Sequence, residues 1–327
     1  MTSTRPLAST GIGVTAIGFG AGPLGGFYGA VDAETGAAAA RRAYDLGVRY
    51  FDVAPLYGYG RAELVLGHAL RDLPRDDLVV STKVGRYLVP AGVTGAPPRL
   101  REEGAPFNPV LDYSRDGTLR ALEQSLQRLG MARIDLVYIH DVDAHSQGSD
   151  SAAEAAFRSA MAGAVPALLE LKHAGVIGAI GAGLNQPDWA LRWVREAELD
   201  AVMIAGRVTL LNREAEAGLI DECRARGTAV VAAGAFNGGL LARGVGGDAR
   251  FNYRPASEAV LRSYERMAAY CRTWGVEMKA AAIQFVLRNP AVTTLVIGAA
   301  SPIEVEENMR LAEVDIPQAF WASLPTP

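Results

Sequence analysis

Short, nearly continuous apolar runs recur along the chain, and amphipathic segments rich in Ala, Arg and Glu separate most of them. The runs are "VTAIGFG" (14–20), "RYFDVA" (49–54), "LVVSTKVG" (78–85), "IDLVYIH" (134–140), "IGAIGAGL" (177–184), "AVMIAG" (201–206), "AVVAAGA" (229–235) and "TTLVIGA" (293–299). Their length and β-branched content predict strands. Between them, "DAETGAAAARRAYDLG" opens on an acid and ends at Gly47, which matches helix start and stop chemistry. "RAELVLGHAL", "DGTLRALEQSLQRLG", "AVPALLELKHAG", "PDWALRWVREAE", "REAEAGLIDECRARG" and "PIEVEENMRLA" predict further helices in equivalent positions.

Apolar strands alternating with helices imply an α/β fold with a parallel sheet covered on both faces. Eight units of about 40 residues are the count of a (β/α)8 TIM barrel, here one domain over residues 1–327. A doubly wound open sheet is the alternative. Against it, no GxGxxG stands between the first strand and first helix, and no second domain is left over. The polar opening "STRPLASTGIGV" suggests a hairpin closing the barrel bottom. Two Pro/Gly-rich segments break the rhythm after strands three and seven, at 86–116 and 236–257. Long loops leaving the C-terminal ends of barrel strands are expected to build the pocket.

One run is chemically odd. In "VRYFDVAPLYGYG", Asp52 sits among apolar strand residues, where a carboxylate costs several kcal/mol without a partner. Lys83 ends strand three, His140 ends strand four, and Tyr57 follows strand two. Singly, each reads as a solvated rim residue, a packing tyrosine or a core histidine. Together on three successive strand ends they would meet in one barrel mouth. There Asp52 would hold Lys83 charged and oriented, and the ammonium would make the Tyr57 phenol a usable proton donor or acceptor. His140 would hydrogen-bond a substrate oxygen or share its proton. Such a set suits hydride transfer to or from a nicotinamide.

Composition narrows the class. Half of the 327 residues are hydrophobic and 21% are charged, the profile of a soluble protein with an ample core. The net charge of −4, with both signs interspersed, offers no basic face for nucleic acid. Cys223 and Cys271 lie in helix-like stretches and read as reduced packing residues. The four histidines show no HxxxH arrangement, so no metal site is expected. No signal peptide or bilayer-length apolar stretch is present, which predicts a cytoplasmic protein without membrane partners. Monomer and homo-oligomer are equally compatible with the sequence.

The chain resembles the aldo-keto reductases. The resemblance rests on "GVRYFDVAPLYGYGRAELVLG", "STKVG", "QRLGMARIDLVYIHD" and "VIGAASPIEVEEN", in the family's order and spacing. It implies a barrel that binds the dinucleotide extended, with Asp52, Tyr57, Lys83 and His140 as catalytic tetrad. "APLYGYGRAE", "IGAGLNQ", "AGRVTLLN" and "GAFNGGLLA" are similar to a branch that oxidises cyclic hemiacetals to lactones. By the same resemblance Asp52, Gly183 and Asn185 contact the nicotinamide end, and Ala235, Phe236, Asn237, Gly239 and Leu240 cradle the pyrophosphate. Phe236 stands in for a stacking tyrosine that aligns with Ala233. Gly298, Ala299, Ser301, Glu304, Glu307 and Asn308 form the C-terminal cofactor segment. NADP-preferring members carry Lys and Arg where Gly298 and Glu304 stand, so NAD is the expected cofactor, preferred over NADP.

The leading function is oxidation of a sugar hemiacetal of the L-fucose or D-threo-aldose type at C1. Tyr28, Tyr57, His140 and Asp141 would contact that substrate, with Asp143 also within reach. The alternative is pyridoxal oxidation, for which Phe27, Tyr28, Tyr87 and Tyr113 are stacking candidates. A third reading, from another class, is a non-catalytic nicotinamide-nucleotide-sensing regulatory subunit.

Overall fold

The computed structural model describes residues 4–26, 29–92, 104–246, 250–252 and 254–327. Eight parallel strands close a barrel: β1 (Ile17–Gly20), β2 (Tyr50–Asp52), β3 (Val79–Val84), β4 (Ile134–His140), β5 (Ile177–Leu184), β6 (Ala201–Ala205), β7 (Ala229–Ala233) and β8 (Val292–Gly298). The ring closes where Leu295 to Gly298 of β8 pair with Ile17 to Gly20 of β1. Eight helices pack outside: α1 (Ala33–Asp45), α2 (Arg61–Leu70), α3 (Arg115–Leu129), α4 (Ala164–His173), α5 (Pro187–Glu196), α6 (Leu219–Arg226), α7 (Met278–Leu287) and α8 (Pro302–Glu313). No described helix is long and apolar enough to cross a membrane.

The local chemistry explains the boundaries. Asp32 caps α1 by accepting from the Thr35 amide at 2.8 Å, and Ser114 caps α3 from Gly117 at 3.1 Å. α5 starts on a proline and buries Trp189, Ala190, Trp193 and Val194, a 3.6-period stripe turned to the strands. Two further helices interrupt the simple alternation, Asp150–Ala162 before α4 and Glu258–Thr273 before α7.

The strand reading needs two corrections. Residues 14–20 do not form one strand: Gly13–Thr15 pairs antiparallel with Thr4–Pro6, and the barrel strand begins only at Ile17. That hairpin closes the bottom, as its Leu7 turn and Val14 pack against Tyr50, Leu136, Ala179, Ala201 and Ala229 inside the barrel. The segment 86–116 is not structureless either. Arg86–Pro90 and Phe107–Leu111 pair as an antiparallel hairpin, and Ser114 already caps α3.

Period-two alternation decides what points inward. Tyr50 and Asp52, Ser81 and Lys83, Tyr138 and His140, Gly181 and Gly183 share inward faces of β2 to β5. Within each pair the second residue sits one rung nearer the C-terminal mouth. Asp52, Lys83, His140, Gly183, Ala205, Ala233 and Gly298 all line one cavity at that mouth.

Candidate active site

Asp52 is held by Lys83. The Lys83 ammonium donates to both carboxylate oxygens, at 2.9 Å to Oδ1 and 2.7 Å to Oδ2, and to the Val53 carbonyl at 3.0 Å. The side chains are only 2% (Lys83) and 4% (Asp52) exposed. Two charges so deeply buried are tolerable only as a pair with further hydrogen bonds, and these supply them. The cation also lies 4.9 Å from the centroid of the Tyr57 ring.

Tyr57 is placed by glycines. The turn after β2 presses on the short 3-10 turn Gly22–Gly25, so closely that a Cβ on Gly25 would fall 2.5 Å from the Tyr57 carbonyl carbon. Gly58 follows at φ 61°, where a Cβ would meet the Gly25 oxygen at 2.5 Å. The "YGYG" repeat thus locks the half-buried phenol into the mouth. Its ring meets the His140 imidazole edge-on, with centroids 6.2 Å apart and planes at 86°.

Burial pushes the His140 pKa down to about 3; Lys83 and Arg86 add to the shift and Asp141 opposes it. At neutral pH His140 is therefore an uncharged imidazole, a hydrogen-bonding group rather than a cation. Asp141 lies beside it, Oδ1 to Nε2 at 3.5 Å, and pairs with Arg86 at 2.9 Å. Burial works to raise the Asp141 pKa, but His140, where acid protonates it, and the Arg86 guanidinium outweigh it and hold the carboxyl below its usual range. Asp141 takes φ 61°, a left-handed conformation rare outside glycine and concentrated at working sites.

The cavity has a volume of about 760 Å³. It runs from Arg86, Asp141 and His145 at one end to Glu304, Glu307 and Asn308 at the other. Gly183, Asn185, Ala235, Phe236, Gly239 and Gly298 line it together with Asp52, Tyr57, Lys83 and His140. Asn237, Leu240, Ala299 and Ser301 are not among the lining residues, against expectation. Asn237 is buried and ties the Gly206 carbonyl to Asn252, Leu240 and Ala299 sit in the core, and Ser301 caps α8. Asn185 lines the wall, but its Nδ2 already donates to Asp141 at 3.3 Å and Ser146 at 3.1 Å.

Other substrate candidates move too. Asp143 is fully buried and caps a short helix through the Ser146 amide, so it reaches no ligand. Tyr113 turns inward and donates to the His140 carbonyl at 2.7 Å, while Tyr87 lies under the Arg120 guanidinium. Phe27 and Tyr28 lie outside the described residues. Among the described residues of 86–116, Arg86 alone lines the cavity.

The walls suit a nicotinamide dinucleotide. Gly183 leaves its place on the floor open: a Cβ there would make only ordinary contacts, 3.7 Å from His140 and 3.8 Å from Lys83. Across the barrel, Gly238 and Gly239 present bare backbone at positive φ, which lets phosphates approach closely. The buried Asn308 Oδ1 has no partner among the described residues and can accept from an adenine amine. Glu304 has a structural tie as well, since its Oε2 accepts the Ala300 amide at 2.7 Å while Ser301 caps the Glu304 amide.

Sequence reasoning passed over Arg86, His145, Arg243 and Lys279, all on the wall. Lys279 pairs with Glu307 and sits 5.7 Å from the Phe236 ring centroid, which places Phe236 with the α7–α8 side of the cavity. Lys279 stands beside an alanine-rich apolar run, where a single lysine reads as solvated until the partner helix is known.

The geometry agrees with the comparisons. The aldo/keto reductase family model matches residues 16–325. A pyridoxal 4-dehydrogenase from Microbacterium luteolum is 40% identical over 98% of this chain and 96% of its own length. A D-threo-aldose 1-dehydrogenase from a Pseudomonas species is 37% identical over 99% and 97%. The fold is similar to that of an aldo-keto reductase from Bacillus halodurans, with TM-score 0.75 at 23% identity over 97% of this chain and 93% of that one. An oxidoreductase using a nicotinamide cofactor and a small-molecule substrate is the coarse activity these relatives share. With family model and full-length relatives in accord, the chain belongs to the aldo/keto reductase family.

Proposed function

We propose that the protein oxidises a sugar hemiacetal of the L-fucose or D-threo-aldose type at C1 to its lactone, with NAD⁺ as acceptor. The buried Asp52–Lys83 pair beneath Tyr57 carries the reading. An ammonium beside a phenol stabilises the phenolate, which is the form that takes a hydroxyl proton. The nicotinamide supplies the hydride acceptor. Tyr57 takes the C1 hydroxyl proton, and neutral His140 hydrogen-bonds the same oxygen as it becomes a carbonyl. The substrate's C1–H and O–H electron pairs thus become the new C=O bond and the departing hydride.

The polar end of the cavity favours a sugar over pyridoxal. Arg86 and Asp141 offer donors and an acceptor side by side for vicinal hydroxyls. Tyr87 and Tyr113, which would stack on a pyridine ring, face elsewhere. The pyridoxal reading keeps the support of the relative that is named for it. For the cofactor, Glu304 stands where a 2′-phosphate would need a cation, and NAD is the acceptor we assign. Absorbance at 340 nm with NAD⁺ or NADP⁺ and L-fucose, other D-threo-aldoses or pyridoxal tests the proposal. Sugar-dependent NADH formation is expected. Turnover confined to pyridoxal replaces the substrate, and cofactor binding without turnover on any of them points to the regulatory reading.

A further inference from the structure

Beneath the tetrad the barrel interior holds three hydroxyls that the proposed chemistry leaves unused. Ser81, Tyr50 and Tyr138 are each 0% exposed. Ser81 Oγ lies 2.7 Å from Asp52 Oδ1, Tyr50 Oη lies 3.0 Å from Ser81 Oγ, and Tyr138 Oη lies 3.0 Å from Tyr50 Oη. We propose that Tyr138, Tyr50 and Ser81 form a one-way hydrogen-bond chain that fixes the Asp52 carboxylate, and through it Lys83, as positioning residues of the site. The proposal rests on the tetrad reading above.

The polarity follows from the acceptor at its end. Paired with an ammonium, the Asp52 carboxylate can only accept, so Ser81 must donate to it. Ser81 then accepts from Tyr50, and Tyr50, its proton committed, accepts from Tyr138. Burial pushes the pKa of both phenols upward, so the protons stay in place. Each link polarises the next toward the carboxylate. Among the described residues, Oδ1 is thereby shared between Ser81 and Lys83, while Oδ2 is left to Lys83.

Packing by itself does not call for these groups. Phenylalanines at 50 and 138 would fill the same space without burying two hydroxyls, and replacing both partners of a buried bond is often near neutral for stability. The barrel nonetheless makes room for both rings. A Cβ on Gly18 of β1 would fall 2.7 Å from Tyr50 Cδ1, and one on Gly181 of β5 would fall 2.6 Å from Tyr138 Cδ1. The Tyr138 ring centroid also lies 5.9 Å from the Lys83 nitrogen, so the chain underlies both members of the ion pair.

Steady-state kinetics, cofactor-binding titration and thermal melts of Ser81→Ala, Tyr50→Phe, Tyr138→Phe and the Ser81→Ala/Tyr50→Phe double variant test the chain. Loss of kcat should be graded by distance from Asp52, about 30-fold, tenfold and threefold, with KM within about twofold. The double variant should be no worse than Ser81→Ala, because the first link is already broken. Ser81→Thr, which keeps the hydroxyl, should restore kcat to within about threefold of the parent. Unchanged kcat in the folded variants, multiplicative losses in the double, or losses that follow melting temperature alone would overturn the proposal. If Ser81→Ala fails to fold, the order of Tyr50→Phe and Tyr138→Phe decides it. A parent chain inactive on the whole substrate panel refutes the tetrad reading. An active parent with unaffected variants refutes the chain alone.

Discussion

At the β2–β4 end of the cavity, Asp52 and Lys83 are carried by strands, almost wholly buried, and fixed further by the Ser81 hydroxyl donating to Asp52 and the Val53 carbonyl accepting from Lys83. At the far end Lys279 and Glu307 meet between two helices, with Glu307 41% exposed. The first pair must hold one geometry, because its charges have no solvent to fall back on. The second keeps water as an alternative partner and is worth little by itself. In the function proposed above, the reacting centre needs the former, whereas an adenosine moiety that must enter and leave tolerates the latter.

The sharpest way to break this contrast is at the reacting end. Tyr57→Phe should lower kcat by about 10³-fold while leaving NAD⁺ affinity unchanged. Fluorescence titration beside steady-state rates checks both parts, and activity within tenfold of the parent removes Tyr57 from its role. Lys83→Met strands the Asp52 carboxylate and should cost about 3–5 kcal/mol in urea denaturation.

His140 gives a pH test. Its value of about 3 in the folded chain lies below that of an unfolded histidine, so the unfolded chain binds the proton first. The stability that neutral His140 brings is complete above about pH 6.5 and declines as pH falls toward 3. One edge of the ring faces the cavity, with the side chain 12% exposed, and cavity water limits the effect to about 1–2 kcal/mol. Urea midpoints at pH 7.5 and 5 should separate more for the parent than for His140→Asn.

Smaller effects are expected at the Glu304–Glu307 end, which the proposed function assigns to the adenosine. Glu304→Gln keeps the helix-capping geometry and removes the charge, so NADP⁺ use should rise about tenfold relative to NAD⁺. A constant NAD/NADP ratio there, and in Glu304→Arg, would show that the selectivity lies elsewhere. A lysine at Gly298 is a poorer probe, since its Cβ would crowd Pro23 at 3.0 Å. Glu307→Gln should change stability by less than about 1 kcal/mol. A loss comparable to that of Lys83→Met would erase the contrast between the ends.

Strand β4 was legible to the residue because Arg133 and Asp141 bound its apolar run, and β5 stops where Asn185 follows Leu184. β1 was not. "VTAIGFG" is apolar apart from Thr15, yet it serves both the bottom hairpin and the barrel, and only pairing partners distinguish the two. Asp143 and Tyr113 looked like substrate groups by position. They proved to be a helix cap and a buried brace because backbone donors and acceptors nearby claimed them.

By itself the sequence determined the alternation of strands and helices and the inward rank of Asp52, Lys83 and His140. Both are periodic properties, set by side chains two or about 3.6 positions apart. Tertiary structure alone decided which inward groups meet: the Ser81–Tyr50–Tyr138 chain, the Arg86–Asp141 pair and the Lys279–Glu307 pair. Those partners lie on or just past different strands and helices, and their hydrogen bonds depend on barrel closure and register, which no local pattern encodes.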